Sequence, residues 1–332
     1  MKTMFGKSSR RLMGEQSGLT LVELLVALAI GSFLIIGAVQ IYNQSRQAFV
    51  INESIARVQE TAQFAMDTIE ADLRMASNWG RNSRPLAVEG RSVAGEPNPN
   101  GLPEPADCGD GWALDLAMTV DGDNNAYTLP CGARGGAQAN SDFVTVRRAT
   151  VMPAPLEPGR LQIQTTRIQG ELFADGVIPA AFSPVDSTTH NLLVNTYYVS
   201  ADSDLIPGVP TLRRKTLAMT GGAPQIADQE VAPGVENLQV QFGVDVDEDN
   251  TVDRYVNPGD PIYDPQDTTG GYVPGARVIT ARVWLVVRGI SAEVGIQDNR
   301  DYEPGDIDLG VPNDQFRRMQ VSKTILLRNT RT

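Results

Sequence analysis

The chain predicts an α+β protein: one long N-terminal helix, its first part suited to a membrane, packed on a mostly antiparallel β-sheet domain. Three observations predict this. Residues 19–42 are predominantly apolar and carry one charge, Glu23. Residues 43–78 contain no Pro or Gly, and their apolar residues fall on one stripe. From residue 142 onward, several segments alternate apolar and polar residues with period two. A helix-period segment followed by strand-period segments gives helix and sheet as separate layers.

The leader, Met1 to Gly18, sets Lys2, Lys7, Arg10 and Arg11 against Glu15. Positive charge ahead of an apolar run holds that end in the cytoplasm. The run from Leu19 to Tyr42 exceeds the about 20 residues that span a bilayer as a helix. A secretory signal has an apolar region of roughly 7–15 residues and then a small-residue cleavage site. Ala27-Leu28-Ala29 imitates such a site, but Phe33, Leu34, Ile35 and Ile36 continue the run beyond it. Ser9-Arg10-Arg11 hints at a twin-arginine signal and meets the same objection. Glu23 stands out, because a carboxylate at a membrane helix centre costs roughly 2.5–3.5 kcal/mol on insertion scales. Its retention points to a partner.

Gly18-Leu19-Thr20-Leu21-Val22-Glu23-Leu24-Leu25 resembles the prepilin signature of type IV pilins and type II secretion pseudopilins. The resemblance implies that a prepilin peptidase cuts after Gly18 and methylates the new amine on Leu19, where the family usually has Phe. It implies that Glu23 docks on the N-terminal amine of a neighbouring subunit. A buried carboxylate and ammonium that meet offset each other's desolvation.

The precursor carries 28 basic and 40 acidic residues, a net of −12. Removing the leader's four basic and one acidic side chains leaves 24 and 39, a net of −15. So acidic a chain is a poor candidate for nucleic-acid binding, which needs clustered Lys and Arg. One His and two Cys exclude the usual zinc sites.

Ile51, Ile55, Val58, Ala62, Ala65, Ile69, Leu73 and Ala76 recur at spacings of three and four. That is one apolar face of a helix. Residues 55–77 are expected to pack on the chain's own globular part, and 19–50 to form a seam with other subunits. Leu19 to Ser77 would make one helix, about 90 Å long at about 1.5 Å per residue. Gly31 and Gly37 are its weak points; Gln40 stands where many major pilins have Pro. Ala56-Arg57-Val58-Gln59-Glu60, Phe64-Ala65-Met66 and Asp72-Leu73-Arg74-Met75-Ala76 resemble the PilW-type minor pilins, as does the ending Arg317 to Asn329. Arg81 follows Trp79-Gly80 where that group often has a Cys. The organisation expected is a cleaved leader 1–18, a long helix 19–78 and a β-rich head 79–332.

Residues 81–107 hold Pro85, Pro97, Pro99, Pro103 and Pro105 and read as a long surface loop or linker. In the oxidising periplasm, Cys108 and Cys131 are expected to bond. Strands are predicted at 142–148, 192–200, 236–246, 277–288 and 319–327, the last interrupted by Lys323. On the fourth, Ile279, Ala281, Val283, Leu285 and Val287 share a face.

Asp245, Asp247, Asp249, Thr251 and Asp253 occupy alternate positions, the spacing from which an EF-hand loop draws calcium ligands. Asn250 replaces the turn Gly, and Val256 stands where the bidentate Glu would be. Calcium is one expectation; a solvated acidic hairpin is the other. Asp121-Gly122-Asp123-Asn124-Asn125 reads as a turn, and His190 as a loop residue rather than a base. No G-x-S-x-G, H-E-x-x-H or phosphate loop is present, so no enzyme is expected and no cofactor is required.

Three functional readings follow. The first, implied by the resemblance, is a PilW-type minor pilin that primes type IV pilus assembly at or near the tip. It would be held in the inner membrane by a single pass with its head in the periplasm, then reach the cell-surface pilus. Its partners would be other minor pilins, the major pilin and prepilin peptidase. The second is a J-type tip pseudopilin of type II secretion. The third is a tip adhesin module, or a partner to one, using loops 81–107 and 255–275.

Overall fold

The computed structural model describes residues 18–98 and 100–331; the leader through Ser17, Pro99 and Thr332 lie outside the described residues. The chain divides into two compact units, with the boundary between Glu53 and Ser54.

Helix α1 (Leu21–Leu73) starts after non-helical Gly18–Thr20 and runs unbroken through Gly31 and Gly37. A helical Gly costs about 1 kcal/mol relative to Ala, too little to interrupt a long cooperative helix. Within the first unit its apolar side chains are exposed on every side, including Leu21, Leu28, Phe33, Ile35 and Tyr42. Its most apolar 18-residue stretch has mean hydropathy 2.5 and no buried residue. Among the described residues it is the one helix long and apolar enough to cross a membrane.

In the second unit the same helix buries a stripe: Val58, Ala62, Ala65, Met66, Ile69 and Leu73. It ends three residues before Ala76, the last member of the apolar spacing. After Leu73 the bonds tighten, with the Met75 amide on Asp72 O and the Ala76 amide on Leu73 O. Ser77 then adopts φ 61°, which cannot continue a right-handed helix. Ala76 is still buried, so the stripe outlasts the helix.

Eight strands form the larger sheet: β1 (Val88–Glu89), β2 (Val120–Asp123), β3 (Phe143–Ala149), β4 (Gln162–Thr165), β5 (Gly170–Phe173), β6 (Thr188–Ser200), β7 (Thr211–Thr220) and β8 (Ala223–Pro233). Their order is β1-β5-β4-β6-β3-β2, with β7 added beside β6 and β8 beside β7. All pairs are antiparallel except β1 with β5. The second sheet has the order β10-β9-β11-β12, from β9 (Val235–Asp245), β10 (Arg254–Val256), β11 (Arg277–Arg288) and β12 (Arg318–Leu326).

One core joins the helix stripe to Val144, Val146, Tyr197 and Val199 of the larger sheet and Leu238, Val240, Phe242 and Val244 of the smaller. The larger sheet is buried on its other face too. Leu192 and Val194 there meet Trp79, Trp112, Leu114 and Leu116 in a second core. Val88 joins it, so residues 81–107, though largely exposed, are an anchored loop and not a free linker.

Three local expectations change. A register shift in β11 between Val278 and Thr280 puts Val278 in the core and leaves Ile279 buried elsewhere. Residues 121–123 are strand, not turn; a Cβ on Gly122 would come within 2.2 Å of the Phe143 carbonyl oxygen across the ladder. His190 is a buried strand residue of β6, not a loop residue.

Candidate functional site

The start of α1 gathers the residues of the prepilin-like signature. Gly18 and Leu19 are exposed and precede the first helical turn, so the peptide bond between them is not locked in helix. Thr20 caps the helix. Its hydroxyl accepts the Glu23 amide at 3.2 Å, while Glu23 Oε2 accepts the Thr20 amide and hydroxyl, each at 2.9 Å. The Leu24 amide bonds the Thr20 carbonyl at 3.1 Å, the first helical bond. This is a capping box, which satisfies otherwise orphaned N–H groups at a helix start. It holds the Glu23 carboxylate at the positive end of the helix dipole. The sequence reading singled out Glu23 and passed over Thr20, although T-x-x-E before an apolar run is itself a legible signal.

The helix is fixed to its sheets by buried charge. Asp72 accepts from Arg148 Nη2 at 2.6 Å, Asn195 Nδ2 at 2.7 Å and the Tyr197 hydroxyl at 2.5 Å. Glu70 pairs with Arg74 at 2.6 Å and with Lys323. That explains the lysine interrupting the β12 alternation: it lies on the helix-facing side and reaches the helix carboxylates.

Cys108 and Cys131 form a disulfide across 23 residues. It lies in the second core and closes the segment that carries Trp112, Leu114 and Leu116 over the sheet. Buried Arg147 secures the same segment, donating to the Trp112 and Met118 carbonyls at 3.1 and 2.6 Å.

The acidic run forms the loop between β9 and β10. One carboxylate oxygen from each of Asp245, Asp247 and Asp253 lies within 4.8 Å of the others. Asp249 is not among them; its Oδ1 accepts the Thr251 amide at 2.6 Å. Of the four carboxylates in the predicted set, three thus converge, while Asp249 turns to its own neighbour. Burial raises the Asp245 pKa and the bond from Arg277 lowers it, as does the Asn250 amide, for a net shift downward.

The helix start and the second half of the chain are both similar to pilin families. A model of the family described as type IV pilus-assembly protein W matches residues 196–329, and one described as the prokaryotic N-terminal methylation motif matches residues 13–39. These matches agree with the resemblance in the signature and the helix: residues 196–329 are similar to the PilW family and residues 13–39 to the N-terminal methylation motif. A type IV-like pilin from Thermus thermophilus is a structural neighbour at 15% identity, covering 58% of this chain and 80% of its own, with a TM-score of 0.27. A search of curated proteins finds no match.

Proposed function

We propose that this chain is a structural subunit of type IV pilus assembly, a minor pilin that joins a priming complex at or near the filament tip and performs no catalysis. In this reading prepilin peptidase cuts after Gly18 and methylates Leu19, and Glu23 docks on a neighbouring subunit's amine. The chain first sits in the inner membrane with its head in the periplasm, beside other minor pilins and the major pilin.

The observation that carries the reading is the pairing of a carboxylate-bearing helix start with a helix apolar on every side. A single such helix has no internal surface to cover it, so lipid or sister helices must. In an apolar bundle, Glu23 needs a cationic partner, and an N-terminal amine created at Leu19 has the charge required.

The test is co-expression of the precursor with and without prepilin peptidase, followed by mass spectrometry of the N-terminus. A product beginning at N-methylated Leu19 is expected; an uncut chain sinks the reading. Glu23→Ala should leave cleavage intact and reduce pilus number, and normal piliation would remove the docking role.

A further inference from the structure

We propose that the β9–β10 loop is a divalent-cation site of the calcium class, with Asp245, Asp247 and Asp253 as its carboxylate ligands. The proposal is independent of the pilin reading and concerns the head alone.

Three carboxylates converge within 4.8 Å, but clustering of exposed acids is common. The decisive feature is Asp245, which is completely buried. Its Oδ2 is committed: it accepts from Arg277 Nε at 3.2 Å, Arg277 Nη2 at 3.1 Å and the Asn250 amide at 2.9 Å. Its Oδ1 is buried and makes no hydrogen bond of ordinary geometry, the Glu248 amide being the one backbone donor turned toward this carboxylate besides Asn250. A buried carboxylate oxygen without a partner is rare in folded proteins and calls for an ion or ordered water. The other two members bring further charge: Asp253 Oδ2 accepts the Val246 amide at 2.7 Å, and Asp247 Oδ1 the Asp249 amide at 3.3 Å.

Charge points the same way. The stretch 245–253 contains five acidic residues: Asp245, Asp247, Glu248, Asp249 and Asp253. Arg277 neutralises one of them directly. A divalent ion shared by three carboxylates relieves most of the remaining repulsion. The ligand set is all oxygen, with no imidazole or thiolate, which suits hard cations rather than zinc or copper. An irregular loop with two exposed ligands suits the flexible coordination of calcium better than the strict octahedron of magnesium. Without a bidentate Glu at the twelfth position, the affinity expected is that of extracellular modules, a Kd of about 10⁻⁴–10⁻³ M. The exposed trio Asp301, Glu303 and Asp308 also clusters, but none of its members is buried, and it serves as the control.

The experiment uses the full chain in detergent micelles. With free calcium at about ten times Kd, Tm should rise about 3–6 °C, and calorimetric titration with calcium chloride should give a saturable heat. Asp247→Asn with Asp253→Asn should weaken calcium binding at least about tenfold, whereas Asp301→Asn with Asp308→Asn should leave it unchanged. In the wild-type chain, calcium should slow amide hydrogen exchange at 246–253 and not at 301–308. That measurement stands even if the double variant folds poorly. No heat and no Tm rise at millimolar calcium, or protection confined to 301–308, overturns the site. An equal response to magnesium overturns its assignment to the calcium class.

Discussion

The two halves of α1 obey different solvents. Before Glu53, apolar side chains point everywhere and none of the most apolar stretch is buried. After Ser54, the buried apolar residues form one stripe and the opposite face is mainly polar, with Phe64 its exposed exception. A helix that buries one face against its own sheets needs periodicity, because the opposite face must stay wet. A helix surrounded by lipid or by other helices needs none. The change of pattern within one unbroken helix therefore marks where self-packing begins. Substitutions in the second half should destabilise the head, and those in the first half should act on association instead.

The largest expected break is Asp72→Ala. It removes the acceptor of Arg148, Asn195 and Tyr197 and leaves a largely buried guanidinium unpaired, at a cost of about 3–5 kcal/mol. Trp79, Trp112 and Trp284 all lie in the second unit, so tryptophan fluorescence during urea unfolding reads the head alone. An unchanged midpoint would mean that Asp72 does not fix the helix to the sheets.

Next comes a matched pair. Ile69 is fully buried and Ile35 is exposed on the same helix. Ile69→Ala should cost about 3 kcal/mol by the same fluorescence assay. Ile35→Ala should leave the head midpoint unmoved and reduce co-purification with other pilus subunits. Equal losses of stability in the two variants would erase the distinction between the halves.

How much of this was legible in the sequence follows from where charge was hidden. Strands β3, β6, β9, β11 and β12 announce themselves because apolar residues alternate along them. Strands β7 and β8 do not, because buried β7 positions hold Arg213 and Lys215. Those cations reach Asp228 at 2.8 Å each, and the Tyr198 hydroxyl joins the same carboxylate at 2.7 Å. A buried polar network spoils the period-two signal at the place where the strand is most enclosed. The short β1, β4 and β5 escape for a different reason: with two to four residues each, they carry too little periodicity to read. At the helix start, Gly18 and Leu19 stand out through the resemblance to the prepilin signature, and Glu23 also as the lone charge of an apolar run. The contraction of the acidic set was not, since only the folded loop shows Asp249 turning to its own neighbour.

A smaller effect tests the first half directly. Thr20→Val keeps the shape of the side chain and removes the hydroxyl that caps the helix. Loss of such a cap costs about 1 kcal/mol, equivalent to about a fivefold faster opening. Amide exchange at Glu23 and Leu24 in micelles should accelerate by that factor, while the head midpoint stays constant. Unchanged exchange would mean that Glu23 is held at the helix start without Thr20.

The finest test concerns protons in the head. His190 is the chain's sole histidine. Its Nδ1 faces the Thr150 carbonyl at 2.7 Å and therefore carries the proton, while Nε2 lies 3.1 Å from the Thr188 hydroxyl and accepts from it. The neutral ring is fully satisfied. Gly80 lies against it so closely that an added Cβ would fall 2.5 Å from Cδ2. Burial pushes the imidazole pKa below its ordinary 6.5, against the opposing pull of the Thr150 carbonyl. As pH falls below 6.5, the unfolded chain takes up the proton first. The unfolded state then holds more protons than the folded one, and stability declines with acidity. Between about pH 7.5 and about pH 5.5, the wild-type urea midpoint should fall further than that of His190→Gln, which has no titrating ring. Equal falls in the two chains would show that the acid response of the head comes from its carboxylates and not from this buried imidazole.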